Sequence, residues 1–363
     1  MDSAPTVSQR IDLLRAANLL PAGGPLPTPR FTPTDRWTGR VFCGIASFER
    51  HTSDEGWQLQ IGLQHAGYLL AGKNLPFDET DIDEITLYAK AGTLILQDKR
   101  EWDPSNDACI DKSEAFECYE YMKDDYDDVF KLTICKDAHA RPDYHRQASD
   151  EIGCHAWICY YHPDIVCALA PWIRREHVIR TWHSVDSAAV PPYNADDHVA
   201  GCLISGAVTR ELYPFRTRIR DAHKAGRLKS TAIMHHPGYH ARGSHTPLFL
   251  KMLSRHKVAI CTASIFGYAL RKIIEATACG CRVITDLPPD EILPGSIDGN
   301  LVRVSPDISI DELDAIVQQE IADYSPHRQQ SYSVAAINWF DWRRRGAELA
   351  EAIERMRKEY PTC

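Results

Sequence analysis

The sequence predicts a two-domain α/β protein in which each domain is a parallel sheet covered on both faces, and three observations carry that expectation. Short apolar runs recur along the chain, and several are followed by a segment with helical spacing. The runs are continuous rather than alternating, the pattern of strands buried on both faces. The alternation is run through twice, with a proline break at Pro191-Pro192-Tyr193 between the two series. At 363 residues the chain is long enough for two separate cores.

Residues 1–36 read as an appendage: a short amphipathic helix over Ile11–Leu20, then an extended linker imposed by Pro21, Pro25, Pro27, Pro29 and Pro33. The first domain is expected over 37–192. Val41–Ala46 is its first buried strand, and Trp57–Leu70 a helix with Trp57, Ile61 and Tyr68 sharing a face. Thr93–Leu96, Val129–Cys135, Ala156–Tyr160 and His177–Thr181 are further strands, with a helix over Ile165–Trp172 between the last two. The second domain is expected over 193–335. Its strands are Val199–Ile204, Thr231–Met234, Val258–Cys261 and Val283–Thr285; its helices are Leu212–Ala225, Leu270–Ala278 and Ile310–Tyr324. Trp339–Tyr360 closes the chain as one helix.

Composition narrows the function. A formal net charge of -9 biases against a general polyanion binder, since phosphate-backbone binding rests on clustered Lys and Arg. Met1–Arg10 lacks the apolar core of a secretory signal, and no run reaches the ~18 apolar residues of a membrane span. The 12 cysteines are scattered, with Cys159, Cys167, Cys202 and Cys261 inside apolar runs, where a thiol packs as a small hydrophobe. No Cys-x-x-Cys pair exists, so neither a zinc site nor a disulfide framework is expected, and the expected setting is a reducing cytoplasm.

The most informative segment is Arg271–Asp286, in which a helix bearing Glu275 stops at Gly280 and a buried strand follows at once. A carboxylate at Glu275 can accept two hydrogen bonds from ribose hydroxyls, although helix–glycine–strand units are common without any ligand. Ser205-Gly206 ends an earlier strand just before a helix with several arginines; Gly206 lets a backbone approach a ligand, and Arg210 or Arg216 can neutralise a diphosphate. Arg218 and Arg220 read better as a solvated helix face. His235-His236-Pro237-Gly238 follows a strand, at the end where α/β proteins place ligands. A metal there is disfavoured, because Pro237 and Gly238 prevent a helical histidine pair and no acidic residue intervenes.

The run Arg271–Asp286 resembles the nucleotide-sugar-binding segment of GT-B glycosyltransferases: a Glu-Ala pair, small residues with a glycine, then a Val-Ile strand. It looks closest to the bacterial spore-maturation-type, family 1-like group, over about 195–290, and is faint in the N-terminal half. The resemblance implies two Rossmann-like domains facing across a cleft. It implies metal-independent transfer of a sugar from a nucleoside-diphosphate sugar, a UDP-sugar favoured, to an acceptor hydroxyl, with no further cofactor. Glu275 would hold the donor ribose, the loop at His236 and Gly238 would lie near the donor, and segment 336–363 would pack back toward the N-terminal domain. One departure stands out. Many retaining members carry a second Glu eight residues before the first, and here that position is Gly267, in Ser264–Leu270. Backbone N–H groups of that loop, with Ser264 and Gly267, remain available to a phosphate at the helix N-terminus, or the loop is a plain turn into the helix.

The N-terminal half is expected to hold the acceptor and a base. Asp98 and Glu101 follow a strand, and His183 with Asp186 follows another; each is a candidate base, with an ordinary polar loop as the alternative. The acceptor is open between a glycan, a small molecule and a hydroxylated nucleic-acid base, the last requiring a basic groove at Lys99, Arg100, Arg141 and Arg146. A non-catalytic sugar-nucleotide binder is the remaining rival.

Overall fold

A computed structural model describes residues 5–21, 24–32, 39–43, 55–71, 91–96, 127–135, 137–139, 142–236 and 245–361. The chain divides into two compact units. One comprises 14–50, 56–181 and 343–363; the other comprises 1–13, 51–55 and 182–342.

The described elements, in chain order, are helix α1 (Val7–Ala16), strand β1 (Gly39–Cys43), α2 (Glu55–His65), β2 (Leu69–Ala71), β3 (Ala91–Leu96), β4 (Phe130–Cys135), α3 (Pro142–Glu151), β5 (Ala156–Cys159), α4 (Pro163–Leu169) and β6 (Val178–Arg180). There follow β7 (Ala200–Ser205), α5 (Pro214–Lys224), β8 (Thr231–Met234), α6 (Thr246–Leu253), β9 (His256–Ile260), α7 (Arg271–Ala278), β10 (Arg282–Thr285), β11 (Leu301–Arg303), α8 (Ile310–Ala322), α9 (Pro326–Phe340) and α10 (Trp342–Glu359).

The first unit holds a six-stranded sheet in the order β2-β1-β3-β4-β5-β6, and the second a five-stranded sheet in the order β11-β10-β9-β7-β8. Every described pairing between named strands is parallel. The period-2 alternation of strand side chains splits the core of the second unit into two layers. Cys202, Ile204, Val258, Ile260 and Ile284 face α5 and α8, where Phe215, Ile219, Leu313 and Val317 meet them. Leu203, Ala259 and Val283 face the other way, onto Ile273 and Ile274 of α7 and onto Ala336 and Phe340 of α9. In the first unit Phe130, Leu132, Ile134, Ala156 and Ile158 pack with Leu59 and Leu63 of α2 and with Leu349 and Ile353 of α10.

Several boundaries depart from the sequence reading, each for a physical reason. The helix expected over Trp57–Leu70 ends at His65, because Gly67 turns the chain at φ +93° and Leu69–Ala71 pairs with β1 as a strand. The closing helix is two helices: Asp341 leaves the helical conformation so that Val185 can pair with it, donating its N–H to Phe340 O at 2.8 Å and accepting from Trp342 N–H at 3.2 Å. The division between units falls at Thr181–Trp182, ahead of the proline break, since Val185 and Val190 join the core of the second unit. The N-terminal extension is shared out as well. Residues 1–13 group with the second unit, where Arg10 pairs with Asp290 at 3.2 Å, and 24–32 group with the first. Segment 343–363 belongs to the first unit.

Cys135, Cys154, Cys159, Cys202, Cys261, Cys279 and Cys281 are buried free thiols. Burial pushes Cys154, Cys159 and Cys261 up to about 12, so they are core residues and not nucleophiles. No described helix is long and apolar enough to cross a membrane.

Candidate functional site

In the second unit the strand order reverses between β7 and β9, since β8 lies outside β7 and β10 outside β9. Open parallel sheets bind ligands at such a switch point, beyond the carboxyl ends of the strands. A cavity of about 270 Å³ opens there. Ser205 and Gly206 form its floor at the end of β7, Met234–His236 come from the end of β8, and the first two turns of α7 supply Arg271, Lys272 and Glu275. Tyr213 and Arg216 enter at the start of α5, His245 and Phe249 at the start of α6, and His183 and Tyr268 complete the wall.

The cavity is organised around cations. Arg216 is 3% exposed. Its guanidinium donates to Thr262 Oγ1 at 2.9 Å, Ala207 O at 2.8 Å and Thr262 O at 3.1 Å, and lies 4.0 Å over the Tyr213 ring. Held by three hydrogen bonds and a ring, it is a preorganised positive charge. Lys272 lies beside it. Burial, then repulsion from Arg216, brings its ammonium down to about 7. Burial and the same two cations also lower His236. Gly206 has φ +122°, and a Cβ there would fall onto Lys272 Nζ and 2.7 Å from Arg216 Nη1, so the glycine is required both by its conformation and by the cations above it.

Helix α7 adds its own field. Leu270, at its N-cap, makes no side-chain cap, and its carbonyl accepts the Ile273 N–H at 3.0 Å; the positive end of the helix dipole sits at the cavity wall. One turn further in, Glu275 pairs with Arg271 at 2.9 Å, both side chains buried. At the other end of the helix Gly280 takes φ +82°, which allows β10 to start immediately. Behind the site Asp286 accepts the Ala263 N–H at 2.6 Å, and burial raises its carboxyl to about 6.

Of the residues singled out by sequence, Ser205, Gly206, Arg216, His236, Glu275 and His183 are brought together in this cavity. His183 is buried and stacks on Tyr268 at 6.0 Å. Asp186 is not among the lining residues; its carboxylate accepts from Ala188 N–H at 3.0 Å and from the Trp342 indole at 3.4 Å. Arg210 is exposed in the turn before α5. Ser264 accepts the Phe266 N–H at 3.3 Å, closing the turn in its own loop, and Gly267 lies against the Arg10 side chain. Asp98, Glu101 and Gly238 lie outside the described residues, as do Lys99, Arg100 and Arg141. Arg146 is described: it donates to Gly24 O at 2.8 Å and lies 5.7 Å over the Trp172 ring. Lys272, Tyr213 and Arg271 were not anticipated. Lys272 and Arg271 stand three and four residues before Glu275, a spacing that places all three on neighbouring helix positions. Among the described residues, no three His, Cys, Asp or Glu side chains come together as a metal site.

No protein-family model matches the sequence, and no curated protein sequence matches it. The structure does match solved ones. An alpha-glucosyltransferase solved with UDP-glucose and DNA containing an abasic site superposes with a TM-score of 0.58 at 10% identity, over 86% of this chain and 98% of that one. HepE of Anabaena, solved with UDP-glucose, gives 0.54 at 9% identity over 87% and 99%. Sucrose-phosphate synthase of Thermosynechococcus elongatus gives 0.53 at 11% identity over 88% and 98%. The fold is the GT-B fold. At these identities the likeness establishes the architecture and not the chemistry.

Proposed function

We propose that the protein is a glycosyltransferase that binds a nucleoside-diphosphate sugar, a UDP-sugar in preference, in the cavity of the second unit and transfers the sugar to an acceptor hydroxyl. The observation that carries this reading is the convergence of Arg216 and Lys272 on Gly206, with Glu275 in the same cavity. A diphosphate laid over Gly206 would meet both cations and the positive end of the α7 dipole. Glu275 would accept from the ribose hydroxyls, held in place by its pair with Arg271.

The chemistry follows from that placement. Charge builds on the leaving diphosphate as the glycosidic bond breaks, and fixed cations in a partly desolvated cavity stabilise it without reorganising. The two cations take the part a metal ion plays elsewhere, which is the basis for reading the reaction as metal-independent. His183, in the cavity wall, is the described candidate for the base that takes the acceptor proton; Asp98 and Glu101 remain candidates by their position after β3. The fold shared with solved glycosyltransferases, several of them solved with UDP or UDP-glucose, agrees with this reading.

A thermal-shift screen with UDP, GDP, ADP, CMP, dTDP and their common sugars tests it. Selective stabilisation by one nucleotide and its sugars, lost in Lys272→Met, supports the assignment. Absence of any shift counts against it and favours a fold retained without donor binding.

A further inference from the structure

The proline-rich segment read from sequence as a linker is a structural wall. Residues 24–32 run across the end of the first unit's sheet and are fastened at five points. The Leu26 N–H donates to Trp172 O at 3.4 Å and the Thr32 N–H to Asp127 O at 2.7 Å. Arg146 donates to Gly24 O at 2.8 Å, His155 Nε2 bonds Arg30 O at 2.9 Å, and the Tyr360 hydroxyl donates to Pro29 O at 3.4 Å. Between this segment and the sheet lies a second cavity, of about 360 Å³.

Its position separates it from the site above. Lys131 is the second residue of β4, His155 immediately precedes β5 and His177 immediately precedes β6, so the cavity sits at the amino ends of the strands. That is the opposite edge from the one α/β sheets use for their principal ligand. All of its lining belongs to the first unit.

The lining calls for an acceptor-rich, negatively charged occupant. Lys131, Arg30 and Arg174 contribute three positive groups against Asp127 and Asp150. Trp172 is 3% exposed, and its indole Nε1–H has no hydrogen-bond partner among the described residues. The Thr28 hydroxyl, also on the lining, is buried and likewise without a partner. An indole N–H can only donate, and a buried donor left without an acceptor is destabilising. His155 cannot satisfy either group: its Nδ1 accepts the Lys131 N–H at 2.9 Å, which leaves Nε2–H as the donor to Arg30 O. We propose that this cavity binds a small phosphate- or carboxylate-bearing molecule, which accepts from Trp172 Nε1–H and Thr28 and is paired by Arg30, Arg174 and Lys131. Such a ligand would tie residues 24–32 to the sheet edge from inside. The proposal is independent of the donor-site reading.

The test follows the indole N–H signal of Trp172, assigned by its loss in Trp172→Phe, in full-length ¹⁵N-labelled protein titrated at constant ionic strength with inorganic phosphate and, separately, with citrate. The expected result is a saturable shift of that one indole with at least one of the two anions. Arg30→Ala with Arg174→Ala, both at exposed positions and compatible with folding, should weaken it at least about tenfold. Saturation by phosphate alone would identify a phosphate site, and by citrate alone a carboxylate site. A Trp172 indole that stays still with both anions, or a shift unchanged in the double variant, overturns the proposal.

Discussion

Lys272 and Arg216 converge on one backbone position: a Cβ on Gly206 would fall onto the ammonium of the first and 2.7 Å from a guanidinium nitrogen of the second. Two cations held this close are a costly arrangement, tolerable where a dianion is to be bound.

Gly206→Ala should therefore damage donor binding more than folding. The φ of +122° and the contact with Lys272 together should cost about 1–3 kcal/mol of stability. Nucleotide affinity should fall further than that, since the methyl group occupies the diphosphate floor. Urea unfolding and calorimetric titration on the same variant separate the two effects.

Binding of UDP-glucose should weaken as pH rises through about 7, because the Lys272 ammonium, brought down to about 7 by burial and by Arg216, loses its proton there. The linkage to stability has the opposite sense. Between the depressed folded value and the ordinary lysine range the unfolded chain binds more protons, so this group makes the free protein more stable as pH rises across that window. Lys272→Met should abolish the pH dependence of binding without lowering the melting temperature. A thermal melt and a titration series at several pH values check both.

Glu275→Gln should lower the preference for UDP over 2′-deoxy-UDP, because a carboxamide accepts one fewer hydrogen bond from the ribose edge. Glu275→Ala should instead destabilise the protein by about 3–5 kcal/mol, since it leaves the buried Arg271 without its partner at 2.9 Å. The comparison of the two variants distinguishes a ligand contact from a structural ion pair.

Much of this architecture was readable in the chain, and the misses share a cause. The strands were legible because runs such as Leu203-Ile204 and Val283-Ile284 must be buried on both faces, and Glu275 because helix, Gly280 and strand follow without a gap. Arg216 was legible as one of two arginines beside a Ser-Gly strand end. Lys272 was not: in sequence it is one more basic residue at a helix start, and only the turn of β7 into Gly206 gives its ammonium something to sit on. The break at Asp341 was hidden for a similar reason, as neither proline nor glycine marks it and its partner, Val185, is remote in sequence. The linker role given to residues 24–32 rested on proline content, which shows that a segment is extended but not what it lies against.

A different region tests the placement of the C-terminal helix. In the first unit a Cβ on Gly346 of α10 would overlap the backbone of Gly62 in α2. Gly346→Ala should force these helices apart and cost about 1–3 kcal/mol, with nucleotide affinity unchanged. Denaturant unfolding alongside a UDP titration checks it.

The most direct test of the central claim is calorimetric titration of UDP-glucose into the wild-type protein and into Lys272→Met at pH 6.5. Saturable binding to the wild type, reduced at least about tenfold in a variant that melts no lower, is the predicted result. Binding that survives the substitution undiminished, or no binding of UDP-glucose or of any other nucleoside-diphosphate sugar to the wild type, would contradict it.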